Sequence, residues 1–548
     1  MAEIEIIPWQ PLIRPPAPNS EIAEIPAGPL KALACRNSVV SLSMLIKSDS
    51  NVFARIRFTD LVSGDHTIPA DALKARLIGA TPTPEAGAVM ETIEDVDRIS
   101  IIRSCAVHIS VSIPKGIPAG MYAGRVIVEV AGEQAGSCDI EAEVADVDLP
   151  DVRDWSFFLN VWMNPATIAR IHKAQIWSDS HFEAMKPYIQ DLAAHGQKTA
   201  VVPIIFQAWG TQTRDPFPNA VIWKKRGDKF EFDFSIFDRY VELHHTCGID
   251  RAIHCYSVVQ GPGHRESNTI EYIDLHDNQV KREDLQIASD KYSEAWRQFF
   301  DAFRLHLTEK GWMDKTYIAF DEQPEEAMNM VMAMIGEHAP DFKTALAANT
   351  RSDKFLSLDD LSLSGVFNER GIVEVAPAER RAGAIAHLLD PDCSTTDLCS
   401  ANMLTTFYVC CGPAHPNTFC FSPLVESRML PWLAVQGGYD GFLRWSYNDW
   451  SDNPFTHPEY APFPTGDVHF VYPSANGPAS SLRWEQLREG IQDFELALIA
   501  SSKLNGAEDM VDFEQAISLA CRNPDGNEKA VGDIELARRL LIPIAARK

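Results

Sequence analysis

The first 150 residues alternate apolar and polar positions in short runs, which is the pattern of β-strands that bury one face. Runs of this kind lie at residues 39–46, 52–58, 105–111 and 124–130, and turns such as 114–120 separate them. No long helical periodicity intervenes. Short strands at this spacing predict an antiparallel β-sandwich over residues 1–150. Pro150 marks its end, since proline cannot continue a central strand.

From Trp155 onward, strand-sized apolar runs alternate with amphipathic helical patterns. Three helical patterns end at Gly196, Gly248 and Gly311, where a glycine C-cap is expected. Eight strands are predicted, at residues 155–162, 200–205, 252–259, 316–320, 344–348, 363–367, 405–410 and 441–446. Eight βα units predict a (β/α)8 barrel over residues 151–548, with closing helices at its C-terminal end. A doubly wound open sheet is the alternative, but no glycine-rich phosphate-binding motif follows any of the strands.

In such a barrel the catalytic side chains follow the carboxyl ends of the strands. The residues expected there are polar and aromatic, without a basic cluster, and those that we predict to bind substrate are Trp162, Gln207, Asn349, Trp445 and Tyr447. Aromatic faces stack on sugars and amides bind hydroxyl groups, so the set favours an uncharged, polyhydroxylated ligand. Trp445 and Tyr447 alternate on the last predicted strand, so both face one side, where they either fill the core or stack on a sugar.

The adjacent carboxylates Asp321 and Glu322 are the strongest candidates for catalytic residues. They end an apolar strand and are followed by Pro324. Hydrolysis of a glycosidic bond needs a carboxylic acid beside the leaving oxygen, with a pKa raised by burial or by a neighbouring anion. The adjacent aspartate can supply that repulsion. The alternative is a solvated loop pair, or two charges in the first turn of a helix.

Histidine and cysteine also cluster in the sequence, at His244, His245, Cys247, His254, Cys255 and at the adjacent pair Cys410-Cys411. The first group lacks the regular spacing of a zinc site, so we expect structural roles and no metal. The adjacent cysteines continue a predicted strand, and small buried residues are favoured over a redox pair.

Composition narrows the functional classes. The 548 residues are 45% hydrophobic and 23% charged, which excludes disorder over most of the chain. A net charge of −27 argues against nucleic acid as a partner, and no apolar run approaches the ~20 residues that cross a bilayer. Eleven scattered cysteines favour free thiols. Together with a start that lacks a signal-peptide pattern, they predict a cytoplasmic protein, although a secreted or periplasmic form whose leader has been removed would begin in the same way.

Four segments carry a resemblance to a known family. Residues 309–324, 441–448 and 482–495, together with 114–124 in the predicted sandwich, resemble glycoside hydrolase family 123 and the related domain-of-unknown-function family 4091. The resemblance implies a sandwich followed by a (β/α)8 barrel, and an exo-acting β-N-acetylgalactosaminidase that needs no cofactor. Its partner would be a glycan or glycoconjugate substrate. Residues 482–495 also carry an apolar stripe, which predicts a closing helix.

The resemblance further implies substrate-assisted retaining catalysis, in which the 2-acetamido oxygen attacks the anomeric carbon. Glu322 would protonate the departing oxygen and then activate water, while Asp321 would orient the acetamido group. Trp445 and Tyr447 would wall the acetamido pocket. The family pattern is Asp-Glu-Pro, whereas Gln323 stands before Pro324 in this chain.

Two other hypotheses stay open. In the first, Glu322 works with a distant carboxylate as a two-carboxylate glycosidase, for which the candidates are Asp440, Asp449 and Glu369. In the second, the barrel end is a carbohydrate-binding site without turnover. The sequence predicts no oligomeric state.

Overall fold

The computed structural model describes residues 3–18, 20, 28–261, 267–350, 352, 355, 357–368, 370–372, 403–459 and 462–547. The strands of these residues are β1 (Ile4–Trp9), β2 (Leu30–Arg36), β3 (Ser38–Ser48), β4 (Val52–Phe58), β5 (Leu61–Ser63), β6 (His66–Ile68), β7 (Leu73–Thr83), β8 (Gly87–Glu94), β9 (Ile99–Ile101), β10 (Ser104–Ile113), β11 (Gly120–Val130), β12 (Glu133–Asp148), β13 (Phe158–Val161), β14 (Thr199–Pro203), β15 (Ile222–Arg226), β16 (Lys229–Asp233), β17 (Ala252–Tyr256), β18 (Ser267–Asp274), β19 (Gln279–Gln286), β20 (Thr316–Asp321), β21 (Lys343–Ala348), β22 (Asp360–Ser364), β23 (Phe367–Asn368), β24 (Gly371–Ile372), β25 (Leu404–Tyr408), β26 (Gly441–Arg444), β27 (Tyr472–Ser474) and β28 (Gly477–Ser481).

The helices of the described residues are α1 (Pro165–Ile171), α2 (Asp179–Ala194), α3 (Ser235–Thr246), α4 (Asp290–Lys310), α5 (Glu325–His338), α6 (Leu424–Gly437), α7 (Leu482–Ser501), α8 (Ala507–Cys521) and α9 (Glu528–Ala545). Their ends follow the sequence signals. Ser178 and Ser289 accept a backbone N–H at the starts of α2 and α4, and Gly311 ends α4 with a φ of 68°. Among these helices, none is long and apolar enough to cross a membrane.

Two sheets make up the N-terminal region. The first has the order β1-β3-β10-β7-β8-β28-β27, and the second has the order β2-β12-β11-β4-β9, with β5 paired to β11 and β6 paired to β5. Leu42 and Val107 of the first sheet share one buried core with Val126 and Ile140 of the second. The antiparallel pairing predicted from the sequence is confirmed for these strands except β2 and β12, which pair in parallel.

Strands after the barrel complete the first sheet. β28 pairs with β8 through Ser480 opposite Ile93 and Ser481 opposite Thr92, and β27 pairs with β28. The short run Gly-Pro-Ala-Ser-Ser gave no strand signal in the sequence. The boundary near residue 150 stays a prediction, and the pairing shows that residues beyond it also contribute to the first sheet.

Eight parallel strands form the C-terminal region, in the order β13-β26-β25-β22-β21-β20-β17-β14. A parallel bridge between Leu159 and Gln197, with a hydrogen bond of 2.9 Å from Lys198 N to Leu159 O, joins the two end strands. The result is a nearly closed barrel of the TIM type. The eight predicted strands correspond to these eight. The sixth runs over residues 360–364 and not 363–367, because it begins with the buried polar residues Asp360 and Ser362, which the apolar pattern does not register.

An additional sheet of order β16-β15-β18-β19 is inserted after the second and third barrel strands. It contacts the carboxyl side of the barrel, where the Arg282 guanidinium lies 4.2 Å from the centroid of the Phe206 ring. Gln260 Nε2, beside the same insertion, donates to Phe206 O at 2.5 Å. The hydrophobic pattern of the sequence does not indicate this sheet, since its strands are largely half-exposed and lack a continuous apolar face.

Candidate active site

Asp321 is the last residue of β20, and Glu322 follows it immediately. Asp321 lies opposite Ala347 of β21, and Glu322 N donates to Ala347 O at 2.8 Å. Glu322 has a φ of 44°, in the left-handed region that residues other than glycine rarely adopt. Such backbone strain concentrates at functional sites, where the surrounding structure holds it in place. The pair therefore lies at the carboxyl end of a central barrel strand, where the sequence placed it.

The Asp321 side chain is only 8% exposed. Burial raises its pKa well above the usual value, and the neighbouring Glu322 carboxylate raises it further. The Trp209 indole N–H approaches Asp321 and offsets part of that rise without reaching hydrogen-bond geometry. Burial therefore favours the protonated form of Asp321, and a positive group close to it would favour the carboxylate.

Three buried aromatic rings form a cluster beside this carboxyl group, with Trp209 and Tyr256 nearest to it. Trp209 lies 4.6 Å from Tyr256 and 5.1 Å from Trp162 between ring centroids, and Asp321 helps to raise the pKa of Tyr256. The indole N–H groups of Trp162 and Trp209 find no acceptor among the described residues. Buried indole groups normally donate to a partner, so both are available to an acceptor on a ligand. Trp162 is one of the residues predicted to bind substrate. Trp209, which follows β14, and Tyr256, which ends β17, are not among them.

Glu322 is held by a tyrosine from across the barrel. Tyr408, the last residue of β25, donates its hydroxyl to Glu322 Oε1 at 2.7 Å. Burial, and the Glu322 carboxylate beside it, raise the pKa of Tyr408 far above its usual value. Tyr408 therefore remains a donor at every physiological pH and fixes one oxygen of Glu322. No sequence pattern points to Tyr408, because its partner Glu322 is 86 positions away.

The adjacent cysteines lie beside Tyr408. Their sulfur atoms are 3.7 Å apart, and the hydrogen bond from Cys410 lowers the pKa of Cys411 to about 7. The prediction that both are buried residues of a strand is wrong, because β25 ends at Tyr408, Cys410 is half-buried and Cys411 is exposed. The charges of Glu322 and Asp467 both act on this thiol.

Trp445 follows the last barrel strand and is 8% exposed. Its indole N–H donates to Asp467 Oδ2 at 3.0 Å, and its ring lies 5.1 Å from Phe463. Arg444 donates to the other oxygen of Asp467 at 2.8 Å and to Val409 O at 2.8 Å. This links Trp445 to the backbone next to Tyr408.

Tyr447 is placed differently. Its hydroxyl donates to Asp191 Oδ2 at 2.6 Å, an oxygen that also accepts from Trp484 Nε1 at 2.9 Å. The ring is fully buried between α2 and α7. β26 ends at Arg444, so strand alternation does not extend to these residues, and the expected common face of Trp445 and Tyr447 is not formed.

Gln207 and Asn349 follow β14 and β21 as predicted. Gln207 is half-buried with a φ of 48°, the second left-handed residue after a barrel strand, and Asn349 is exposed. The extra residue Gln323 is 4% exposed and donates to Asp321 O at 3.0 Å. It therefore folds back onto the strand end, and Pro324 then leads into α5.

The other carboxylates proposed from the sequence lie elsewhere. Asp440 precedes β26, at the end of the barrel opposite Asp321, and accepts Thr405 N at 2.8 Å. Asp449 accepts Arg214 N at 3.1 Å and is fully buried, with a pKa raised by burial to about 7. Glu369 lies outside the described residues.

The histidines have structural surroundings. His244 bonds to Tyr240 O at 2.9 Å, and His254 lies 3.4 Å from Asp360 inside the barrel. In the part of the chain that the structure describes, no three histidine, cysteine, aspartate or glutamate side chains are grouped as ligands of a metal ion.

Comparison with known proteins gives two kinds of match. The family model of the glycoside hydrolase 123 catalytic domain matches residues 162–500. The fold is similar to that of a family 123 glycoside hydrolase from Clostridium perfringens, described for glycolipid glycan hydrolysis, with a TM-score of 0.81 and 22% identity over 99% of this chain and 98% of that chain. A Bacteroides ovatus family 5 xyloglucanase has a TM-score of 0.31 and 10% identity over 84% of this chain and 98% of its own. No curated protein matches the sequence.

Proposed function

The chain belongs to glycoside hydrolase family 123, and from this premise we propose that it removes a terminal β-linked 2-acetamido-2-deoxy sugar, with N-acetylgalactosamine favoured, from a glycan or glycoconjugate. The observation that carries the proposal is the pair at the end of β20: a buried Asp321, whose pKa is raised, beside a half-buried Glu322 that Tyr408 holds at 2.7 Å. The Clostridium perfringens relative, described for glycolipid glycan hydrolysis, supports a substrate of the glycan class.

In the proposed reaction the substrate supplies its own nucleophile. The acetamido oxygen attacks the anomeric carbon, the bond from that carbon to the leaving oxygen breaks, and Glu322 gives its proton to the leaving oxygen. An oxazolinium ion results. Water then adds to the anomeric carbon, the bond from that carbon to the acetamido oxygen breaks, and Glu322 takes a proton from the water, which restores the acid and retains the configuration.

The environment of Asp321 suits the electrostatic part of this scheme. Positive charge grows on the acetamido group as its oxygen attacks, and it does so beside a carboxyl group whose pKa is raised by burial. The growing charge favours ionisation of Asp321, whose proton passes to the adjacent Glu322 and from there to the leaving oxygen, so the stabilisation is stronger in the transition state than in the ground state. Asp321 accepts the acetamido N–H in this arrangement.

The rest of the site matches a neutral sugar. Trp162, Trp209 and Tyr256 supply aromatic faces, and the two unpaired indole N–H groups supply donors for substrate oxygens. Gln207, Asn349 and Trp445 are proposed to contact the substrate from neighbouring loops. Tyr447 is proposed as part of the acetamido wall only through the position of its loop, since its hydroxyl is engaged by Asp191.

A protein nucleophile finds less support. Asp440 lies at the opposite end of the barrel, and Asp449 is buried and already holds the Arg214 amide. Replacing the substrate's acetamido group by trifluoroacetamido separates the two schemes, because fluorine weakens the attacking oxygen. Substrate assistance predicts much slower cleavage, whereas a protein nucleophile predicts little change.

The direct test compares wild type with Glu322→Gln on two β-N-acetylgalactosaminides, one with a nitrophenol and one with a sugar as the leaving group. Nitrophenolate leaves without a proton, but a sugar alkoxide needs the acid. We expect the variant to lose about 100-fold or more of the activity on the sugar-linked substrate, and less on the other. Glu326→Gln, on an exposed glutamate in the first turn of α5, is the matched control and retains both activities. Failure of wild type to cleave either compound would overturn the substrate assignment.

A further inference from the structure

The β7–β8 hairpin of the first sheet is hydrogen-bonded to a loop that follows β26. Glu85, in the turn between β7 and β8, accepts Thr465 N at 2.9 Å with one carboxylate oxygen and Thr465 Oγ1 at 2.8 Å with the other. Thr465 is fully buried, although Glu85 belongs to an exposed turn. Both oxygens of one carboxylate are thus used to fix the loop at residues 464–467.

A second contact from the same sheet lies deeper. Arg483 of α7 donates to Glu91 Oε1 of β8 at 2.6 Å, and both side chains are at most 1% exposed. The same guanidinium donates to Thr418 O at 2.6 Å and to Gly466 O at 3.0 Å. Arg483 therefore joins the loop after β25 to the loop after β26. Its own position is fixed by the ion pair with Glu91 of the N-terminal region.

These loops continue to the candidate acid. The Thr418 hydroxyl accepts from Arg444 Nε at 3.2 Å, and Arg444 also holds Asp467 and the carbonyl of Val409. Val409 follows Tyr408, whose hydroxyl holds Glu322. An unbroken series of hydrogen bonds and chain neighbours thus connects the first sheet to Trp445 on one side and to Glu322 on the other.

We propose that the N-terminal sheets position the active site, with Glu85 and Glu91 as positioning residues that act through the loops at 417–420 and 464–467 on Trp445, Tyr408 and Glu322. The proposal rests on the proposed function for its kinetic consequence. The series of hydrogen bonds from the first sheet to Trp445 and Glu322 does not depend on which substrate the protein binds. Coupling of this kind has to be demonstrated by perturbing one end and reading the other.

Glu85, and not Glu91, is the residue whose substitution tests this coupling. Removing Glu91 would leave the buried Arg483 without its partner, and loss of one member of a buried ion pair destabilises the whole fold. Glu85→Ala removes two hydrogen bonds at an exposed turn and leaves no buried charge. Glu85→Gln is the conservative variant, because its amide oxygen still accepts Thr465 N and its amide N–H can donate to the Thr465 hydroxyl. Glu133→Ala, at the exposed start of β12, is the matched control on the same region.

Two readouts are taken on the full-length protein. The first is kcat and KM on the sugar-linked glycoside, where Glu85→Ala is expected to lower kcat/KM about three- to tenfold with a melting temperature close to that of wild type. The second needs no substrate: the rate at which iodoacetamide labels Cys411, the exposed thiol on which Glu322 and Asp467 both act. Mass spectrometry separates this peptide from that of Cys138, a half-buried thiol of β12 that serves as internal reference.

We expect Glu85→Ala to change the Cys411 labelling rate at least about twofold relative to Cys138, and Glu85→Gln to restore both labelling and kcat/KM to within about twofold of wild type. Labelling of Glu85→Ala that equals that of Glu133→Ala overturns the proposal. So does a Glu85→Gln variant as impaired as Glu85→Ala, because a general loss of the turn would then explain both. If wild type cleaves no glycoside, the proposed function fails, while the labelling rates still decide whether the sheet positions the loops.

Discussion

Replacing Asp321 with asparagine should raise the stability of the protein, relative to wild type, by an amount that grows as the pH rises from about 4. Burial and the neighbouring Glu322 raise the pKa of Asp321 well above that of an unfolded aspartate, which is about 3.9. Between these two pKa values the folded protein keeps the proton and the unfolded chain loses it. The folded state thus binds more protons in this window, so the free energy of unfolding falls as the pH rises. The amide introduced by Asp321→Asn cannot ionise and escapes this loss.

The size of the effect follows from linkage. Between the unfolded and the folded pKa, one such group lowers the free energy of unfolding by about 1.4 kcal/mol per pH unit. Below the unfolded pKa and above the folded pKa, the group no longer makes this free energy depend on pH. The stability of Asp321→Asn minus that of wild type should therefore start to grow near pH ~4 and rise by up to that amount per unit. The slope is the quantity to measure, because the new amide adds a constant offset from its own hydrogen bonding.

The assay is reversible urea unfolding of both proteins at several pH values from about 4 upward, since the window opens at the unfolded pKa. Asp314→Asn, on an exposed aspartate in the turn before β20, serves as the control and should track wild type. In a Glu322→Gln background the gain should be smaller at high pH, because the repulsion from Glu322 is gone. A stability difference that stays constant with pH would refute the neutral, buried Asp321. The same variant should lose about 100-fold or more in kcat, since it lacks the charge that stabilises the transition state.

Two further predictions concern aromatic side chains. Tyr408→Phe removes the hydrogen bond of 2.7 Å to Glu322 and should lower kcat/KM on the sugar-linked glycoside about tenfold or more, with a smaller effect on the nitrophenyl compound; equal effects on the two would contradict its link to the acid. Tyr447→Phe should cost about 1–3 kcal/mol of stability at unchanged KM, since it takes a buried donor from Asp191 but keeps the ring. Trp445→Phe should raise KM about fivefold and also lower the stability, since it takes a donor from the buried Asp467. Steady-state kinetics separate the two, and a raised KM in Tyr447→Phe would show that its hydroxyl also contributes to substrate binding.

Apolar periodicity predicted the barrel because its strands are buried on both faces and stand out from the helices between them. It placed Asp321 and Glu322 correctly at a strand end, since a carboxylate pair directly after an apolar run is a local signal. It failed at β22, where Asp360 and Ser362 point polar groups into the barrel and hide the strand's first half.

The rest of the site depends on contacts between distant residues. Tyr408 holds Glu322 from 86 positions away, and Asp467 meets Trp445 from 22 positions away. Neither pair leaves a periodic or compositional trace in one sequence. Tyr447 illustrates the converse error: its spacing from Trp445 matched a strand, but β26 ends at Arg444 and the two side chains enter different networks.

The pairing of β28 with β8 bears on the order in which the chain can fold. During synthesis the N-terminal strands emerge first, yet β8 remains an open edge until residues 477–481 have left the ribosome. An unpaired edge strand is a template for association with other chains. A nascent chain therefore exposes this edge throughout synthesis of the barrel, and a fragment cut near residue 150 would keep it exposed permanently. Loss of the C-terminal segment should for that reason appear first as aggregation of the N-terminal region.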